Sequence, residues 1–156
     1  MKLTTAEEYG LRCLLQVARL APHGSGRLAS IRDVADAEGL SADYVAKLLG
    51  RLRKAELLHS TRGASGGYAL ARGTDEITAA QALSAFDTPV HGDGFCTSFK
   101  GQLDCCVHKT QATCNLTSLW AAVGTALNDV LSRVTLSDLL ADSAAPPRAA
   151  AGGTHG

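Results

Sequence analysis

Cysteine is the residue type whose clustering in this sequence points most directly to chemistry. Four of the five cysteines lie close together, at Cys96, Cys105, Cys106 and Cys114. The N-terminus, MKLTTAEEYG, is acidic and lacks the apolar run of a signal peptide, so we expect a cytoplasmic protein. In that reducing compartment, clustered thiols more often bind metals or respond to redox state than form a structural disulfide framework.

The spacing of these cysteines, C-x8-C-C-V-H-x5-C, leaves more than one chemistry open. Three cysteines and His108 have the ligand types of a tetrahedral zinc site, although the spacing is not that of a recognised zinc finger. Thiols of low pKa without a metal would instead form disulfides on oxidation. The fifth cysteine, Cys13, lies in an apolar helical pattern, and we expect it to pack in the core.

A capping pattern predicts a helix at the N-terminus. The residues TTAEE offer a capping box, formed by Thr4 with Glu7 or by Thr5 with Glu8. The mostly apolar helix that follows extends to about Leu20, where a proline and the HGSG stretch end it.

The next two helices are joined by a glycine turn. Ser30 and Asp33 form a second capping box that begins a short helix, and Gly39 suits the left-handed position after it. Ser41 then caps a longer helix with an apolar stripe on one side. The other side carries the basic residues Lys47, Arg51 and Lys54.

The stretch RGASGGYAL, residues 62–70, places three glycines and a serine directly after an arginine. It predicts a short hairpin with a glycine-rich tip. Helix, glycine turn, longer basic helix and hairpin together form the order of a winged helix-turn-helix. The zero net charge conceals a basic segment suited to DNA, because residues 41–72 carry six Lys/Arg against two Asp/Glu, whereas residues 73–144 carry three against eight.

The rest of the chain predicts further helices on both sides of the cysteine cluster. Residues 77–86 favour a helix, residues 88–113 favour a loop, and apolar residues recur at helical spacing from Asn115 to Val134. The wide apolar face of that long helix predicts a dimer interface in addition to packing on its own domain. Thr135 begins one more short helical turn, and the Ala/Gly/Pro-rich end predicts a disordered tail.

The expected fold class is mainly α, with a winged helix-turn-helix head, a small β-hairpin wing, a cysteine-rich loop and a long dimerisation helix. We assign the DNA-binding head to residues 1–86, the cysteine-rich loop to 87–114, the dimerisation helix to 115–142 and the tail to 143–156. No stretch approaches the roughly 20 apolar residues of a membrane span, so we expect no membrane partner. The sequence has no phosphate loop and no pairing of nucleophile and base, so we do not expect an enzyme.

Three stretches of the sequence resemble the Rrf-type winged-helix regulators, the family that includes IscR and NsrR. They are SADYVAKLLGRLRKAELLHSTRGASGGYALA at residues 41–71, MKLTTAEEYGLRCLLQVA at the N-terminus, and CNLTSLW at the start of the long helix. The resemblance covers about residues 1–140 and implies a homodimeric bacterial transcription factor, typically a repressor. It also implies that double-stranded DNA is the partner, with two winged heads on a near-palindromic operator and the long helices crossing between subunits.

The resemblance extends to the residues that would contact DNA. In the family, the recognition helix enters the major groove and the wing reaches the minor groove. Carried over by position, the helix contacts are Ser41, Ala42, Tyr44, Lys47 and Arg51, and the wing contacts are Arg62, Gly63, Gly66 and Gly67. The glycines would allow close approach of the backbone to DNA, and an arginine beside them suits a narrow, electronegative minor groove.

For the cysteine-rich loop, the resemblance implies a bound iron–sulfur cluster, either [2Fe–2S] or [4Fe–4S], that senses redox state, nitric oxide or iron–sulfur status. Three cysteines and a fourth ligand of another type would hold it. These ligands are Cys96, one of Cys105 and Cys106, Cys114, and Glu8 donated by the other subunit. His108 is a second candidate for the fourth ligand, and Glu8 has the competing role of a helix-capping carboxylate.

Two departures from the family pattern leave the cluster type and the fourth ligand open. The gaps between the cysteines are eight and eight residues through Cys105, or nine and seven through Cys106, which is longer than the family's spacing. Some members carry a histidine three residues after the last cysteine, where this sequence has Thr117. The alternatives are a cluster-free repressor controlled by thiol–disulfide exchange or by a partner protein, and a zinc-binding regulator.

Overall fold

The computed structural model describes residues 4–86 and 115–141 of the chain. Within these residues the order of elements is α1 (Thr5–Leu20), α2 (Ile31–Glu38), α3 (Ala42–Lys54), β1 (Leu58–Thr61), β2 (Gly67–Leu70), α4 (Ala79–Ser84), α5 (Asn115–Leu131) and α6 (Leu136–Ala141). The fold is mainly helical with a two-stranded antiparallel hairpin, as the sequence predicted. The predicted cysteine-rich loop and tail lie outside the described residues. None of the described helices is long and apolar enough to cross a lipid bilayer.

α1 begins at a capping box that Thr4 and Glu7 form. The amide of Glu7 donates to the hydroxyl of Thr4 at 3.3 Å, and the amide of Thr4 donates to the carboxylate of Glu7 at 2.6 Å. The hydroxyl bond satisfies one of the amides that the first turn of a helix leaves without an intrahelical acceptor, and the carboxylate bond satisfies the N-cap amide. Glu7 is 2% exposed, whereas Glu8 faces solvent. The structure therefore selects the first of the two predicted pairings.

The two helices of the helix-turn-helix begin at the capping residues that the sequence predicted. The hydroxyl of Ser30 accepts the amide of Asp33 at 3.1 Å, and Gly39 ends α2 at φ 65°, a conformation that a Cβ disfavours. The hydroxyl of Ser41 accepts the amide of Tyr44 at 3.3 Å and begins α3. The apolar stripe of α3 packs into the core against α1 and α2, and burying each of its leucines stabilises the fold by about 1.5–3 kcal/mol. Its buried members are Val45, Leu48, Leu49 and Leu52.

The wing is a hairpin that is also attached to the helix-turn-helix. β1 and β2 pair in an antiparallel register, with Leu58 opposite Leu70 and Thr61 opposite Gly67. Ala29 forms an isolated bridge with Tyr68 in β2, in which each amide donates to the other residue's carbonyl oxygen at 2.8 Å. Because Ala29 directly precedes the N-cap of α2, this bridge ties the wing to the start of the helix-turn-helix.

The chain returns to the head after α5. Leu136 is fully buried in the core, and its amide donates to the carbonyl oxygen of Ile77 at 2.9 Å. The amide of Ala79 donates to the carbonyl oxygen of Val134 at 2.8 Å. This pairing keeps the backbone before α4 extended, which is why α4 begins at Ala79 and not at residue 77 as predicted; α4 ends at Ser84, two residues before the predicted end. The predicted last helical turn is α6, and the same pairing anchors it on the head.

Candidate nucleic-acid interface

The first half of α3 presents polar and basic groups to solvent. Ser41, Ala42 and Lys47 are exposed. Tyr44 is half-buried, and its ring meets the ring of Tyr9 in α1 edge-on, with centroids 6.2 Å apart at an angle of 84°. Edge-on packing is a preferred arrangement of aromatic rings, so α1 supports this turn of α3. An exposed, rigidly supported helix N-terminus is the arrangement that reads base edges and phosphates in a major groove.

Arg51 contacts Phe86, the last described residue before the cysteine-bearing segment. Its guanidinium donates to the carbonyl oxygen of Phe86 at 3.3 Å and lies 6.0 Å from the centroid of the ring. The ring of Phe86 packs directly on Gly10, where a Cβ would overlap it. Arg51 therefore connects α3 to the point at which the chain enters residues 87–114, and its contact with DNA stays a prediction.

The wing's own backbone gives a reason for each of its three glycines. Gly63 has a φ of 120°, which residues with a Cβ rarely adopt. A Cβ at Gly66 would overlap the carbonyl oxygen of Thr61, and one at Gly67 would lie 2.7 Å from the carbonyl oxygen of Ala29. The sequence suggested that glycine lets the wing approach DNA closely. The close approach visible in the structure is one within the protein.

An open bowl of about 460 Å³ lies between the second half of α3 and the wing, and we refer to it as the bowl. Its charged lining residues are Arg53 and Arg62, and its other lining residues include Gly50, Ser60 and Thr61. Within the part of the chain that the structure describes, neither guanidinium group has a hydrogen-bond or ion-pair partner. Sequence reasoning missed Arg53, although one signal was available: Gly50 stands one helical turn before it and leaves the neighbouring position without a side chain.

Glu8 is exposed on α1 and is not used in the helix cap. Its carboxylate pairs with the guanidinium of Arg12, at 2.9 Å between the nearest oxygen and nitrogen, and both side chains are 54% exposed. Arg12 also lies over the ring of Tyr9, 5.8 Å from its centroid. An exposed pair of this spacing contributes about 0.3–0.5 kcal/mol, so little energy opposes exchange of Arg12 for a stronger partner of Glu8.

The clustered cysteines and His108 lie outside the described residues, and Cys13 alone of the five can be placed. Cys13 is buried in the core, as predicted. Burial, and to a smaller extent the negative charge of Glu38, raises the pKa of its thiol to about 11, so the thiol is protonated and inert at neutral pH. Within residues 4–86 and 115–141, no group of three or more His, Cys, Asp or Glu side chains is arranged to hold a metal ion.

Known proteins similar to this chain are transcriptional regulators. Residues 3–142 match the Rrf2 family, described as iron-dependent transcriptional regulators. Protein rrf2 of Nitratidesulfovibrio vulgaris is 37% identical over 151 residues, which cover 95% of this chain and 93% of that protein. The HTH-type transcriptional regulator IscR of Aliivibrio salmonicida is 32% identical over 148 residues, which cover 92% of this chain and 79% of that protein.

Similarity to a solved structure extends the match to three dimensions. The structure of CymR, the global cysteine regulator of B. subtilis, has a TM-score of 0.63 and 28% sequence identity, and the match covers 90% of this chain and 97% of that one. The winged helix-turn-helix, its exposed recognition helix and its basic wing thus define a DNA-binding transcriptional regulator and not an enzyme. The chain belongs to the Rrf2 family, which confirms the resemblance in the sequence.

Proposed function

We propose that this chain is a homodimeric repressor in which an iron–sulfur cluster controls binding to a near-palindromic operator. The first half of α3 would enter the major groove, and the wing would reach the adjacent minor groove through Arg62. The exposure of both elements on one head supports this assignment. Because its target is chromosomal DNA, the protein acts in the cytoplasm. The proposed major-groove contacts are Ser41, Ala42, Tyr44 and Lys47.

The apolar face of α5 supports the proposed dimer. Leu119 is 52% exposed, Val123 44% and Val130 57%. Their spacing places them along one side of the helix. Large apolar side chains exposed together in this way mark an interaction surface, and two α5 helices packed against each other would bury them. The family resemblance, in which the long helices cross between subunits, makes a second copy of this chain the expected occupant.

The donor chemistry of this chain fits an iron–sulfur cluster. Thiolates are the usual cluster ligands, and residues 96–114 contain four cysteines. The exposure of Glu8 carries the proposal, because Glu7 forms the cap and the carboxylate of Glu8 is held by a weak exposed ion pair with Arg12, which a metal ligand role would displace. Gly10 packs on Phe86, at the start of the chain's own cysteine-rich loop, whereas Glu8 lies two residues earlier and about 200° around the helix. Glu8 thus points away from that start, as donation to the other subunit requires.

When bound, the cluster would supply a redox-active centre whose oxygen-donor position makes it labile. This chain's own residues would connect that centre to DNA binding. Glu8 would tie α1 of one subunit to the cysteine-rich loop of the other, and α1 supports the first turn of α3 through Tyr9 and Tyr44. Cluster gain or loss would therefore act on the element that reads the operator.

The deciding experiment is anaerobic purification of the full-length protein, followed by an absorption spectrum and analysis of iron and acid-labile sulfide. Visible charge-transfer bands with matched iron and sulfide support the proposal. Single Cys→Ser changes at the four clustered positions then assign the thiolate ligands, with Cys13→Ala as the control that should retain the spectrum. Colourless protein that cannot be reconstituted rejects the cluster, and bound zinc without iron identifies the zinc-binding regulator.

A second candidate is a cluster-free repressor controlled by thiol–disulfide exchange or by a partner protein. Similarity to CymR, a regulator of cysteine, favours it, together with gaps between the cysteines that are longer than the family's. A repressor controlled by thiol–disulfide exchange would be colourless. Its clustered cysteines would form disulfides on oxidation, and its affinity for DNA would change with their oxidation state. Peptide mass mapping of the oxidised and reduced protein separates it from the cluster-controlled repressor.

A further inference from the structure

The bowl between α3 and the wing has the chemistry of an anion site. Arg53 lines it from α3, Arg62 lines it from the wing, and Ser60 and Thr61 in β1 are neighbouring lining residues, of which one turns its hydroxyl to each face of the strand. Of the described residues that line it, none is acidic. Guanidinium and hydroxyl groups are frequent donors to phosphate oxygens in protein–DNA complexes.

The guanidinium of Arg53 is available for a ligand. Arg53 is exposed, and among the described residues it has no acceptor within the protein. Arg51, two residues earlier on the same helix, differs because it donates to the carbonyl oxygen of Phe86. An unpaired cation beside a second arginine, over an open concavity, concentrates positive potential where a ligand can reach it.

The geometry of a DNA duplex indicates which anion would lie there. A helix in the major groove and a wing in the adjacent minor groove have a sugar–phosphate strand between them, because such a strand separates the two grooves. That strand has to pass between α3 and the wing, which is where the bowl opens. Resting on the proposed function, we propose that the bowl seats one backbone phosphate per head. Arg53 holds it with one of the two neighbouring hydroxyls of β1, Ser60 or Thr61, while Arg62 extends towards the minor groove.

This seat gives Arg53 the role of a positioning residue. A phosphate contact carries no information about base identity, but it sets the register of the protein on the duplex. A phosphate held between α3 and the wing would fix the position of α3 in the major groove and of the wing in the minor groove. Removing Arg53 should therefore weaken binding to all duplexes alike.

The test is the salt dependence of DNA binding by the full-length protein and its Arg53→Gln variant, measured by fluorescence anisotropy. The probe is a duplex selected from a randomised pool with the wild-type protein. Each lost phosphate contact makes the slope of log K against log salt shallower by about 0.9, which is about 1.8 for two heads. Between about 50 and 200 mM salt, the variant should lose about tenfold less affinity than the wild type. Its base preference should stay unchanged.

Arg19→Gln is the matched control, because it removes the same charge from the last turn of α1, away from the bowl. It should keep the wild-type slope, and Arg53→Lys should keep most of the slope by retaining the charge. A folded Arg53→Gln variant with the wild-type slope and affinity overturns the phosphate seat, and so does a changed base preference. Failure of the wild type to select any duplex counts against the proposed function itself.

Discussion

At the scale of single residues, burial separates side chains that the sequence presents as equivalent. Glu7 and Glu8 are adjacent acidic residues, and either could close a capping box. Glu7 faces the core and bonds the amide of Thr4, whereas Glu8 is exposed and pairs with Arg12. The orientation of α1 on the head therefore places one carboxylate in the helix cap and leaves the other exposed to solvent.

We expect Glu7→Ala to lower the stability of the protein and Glu8→Ala to leave its stability nearly unchanged. Glu7→Ala removes the acceptor of the Thr4 amide and should lower the free energy of unfolding by about 0.5–1.5 kcal/mol. Glu8→Ala should change it by less than about 0.5 kcal/mol, because the lost ion pair is exposed. Urea denaturation measures both. Under the proposed function, Glu8→Ala also alters the visible spectrum of the anaerobic protein. Equal losses of stability would contradict this expectation.

Two glycines in helices should respond to alanine with opposite signs. A methyl group at Gly10 would overlap the ring of Phe86, which is 3% exposed and has little room to move. Overpacking of this kind costs about 1–3 kcal/mol, more than the gain of about 0.5–1 kcal/mol in helix propensity. Gly50 in α3 has nothing within 4 Å of the added Cβ, so Gly50→Ala should stabilise the protein. Thermal unfolding of the two variants measures the sign of each change in stability. A stabilising Gly10→Ala change would show that the Phe86 ring does not pack on Gly10 as described.

At the scale of elements, short-range caps determine where the helices begin, and each lies within four residues of sequence. Ser30 with Asp33 begins α2, and Thr135 with Asp138 begins α6 by the same bonds. Such a capping box can form without any tertiary contact, because its donors and acceptors lie within four consecutive residues. It does not determine how long the helix is. α4 begins after the capping box at Thr78, where the preceding backbone pairs with the segment after α5, and it ends at Ser84, before the predicted residue 86.

The caps of α2 and α6 predict that the stability of the protein depends on pH in the acidic range. The hydroxyl and then the amide of Ser30 donate to Asp33 and hold the pKa of that carboxyl below its usual 3.8. The amide and then the hydroxyl of Thr135 do the same for the pKa of Asp138. Because the folded pKa is the lower one, this stabilisation is present above pH 3.8 and is lost as the pH falls through the folded pKa.

Carbon-13 NMR titration of the aspartate carboxyls measures these pKa values. Ser30→Ala should move the midpoint of Asp33 upwards and leave that of Asp138 in place, because the two caps are separate elements. Thr135→Ala should have the reciprocal effect, so each variant is the control for the other. An unchanged midpoint of Asp33 in Ser30→Ala would show that the Ser30 hydroxyl does not hold it.

At the scale of the whole molecule, Leu136 in the region after α5 is buried, while the described side chains of α5 itself are largely exposed. Leu136 completes the core of the head, but Leu119, Val123 and Val130 remain open to solvent. Under the proposed function, a second subunit would cover these three side chains of α5. The head thus has its hydrophobic core within one chain, whereas that chain leaves Leu119, Val123 and Val130 exposed.

We expect Val123→Glu to convert the dimer into a monomer. A buried glutamate without a partner in the proposed interface carries a desolvation penalty that the interface does not repay. Thr125→Glu is the matched control, because Thr125 is another exposed β-branched residue about 200° around the same helix. Sedimentation velocity measures both, and at equal concentrations the control should remain dimeric. A dimeric Val123→Glu protein would place the subunit interface elsewhere.

The sequence by itself determined the starts of α2, α3 and α6, the glycine turn, the wing and the family. Each of these depends on residues a few positions apart or on a contiguous motif, such as the capping box of Ser30 with Asp33 or the wing glycines of RGASGGYAL. The candidate DNA contacts on α3 and in the wing could be proposed for the same reason. The ligands within the cysteine-rich loop stay predictions from the family pattern.

Only the tertiary structure decided which contacts each of several chemically similar side chains makes. Arg51 contacts Phe86, 35 residues later in the chain, whereas Arg53 lines the bowl with Arg62. Both arginines lie on the same helix and both are exposed, and the one local signal, Gly50 one turn before Arg53, does not show what either guanidinium contacts. Their partners are brought near by the packing of α1, α3, α4 and the wing. Packing is a property of the whole chain, and that is why it was not readable from the spacing of residues.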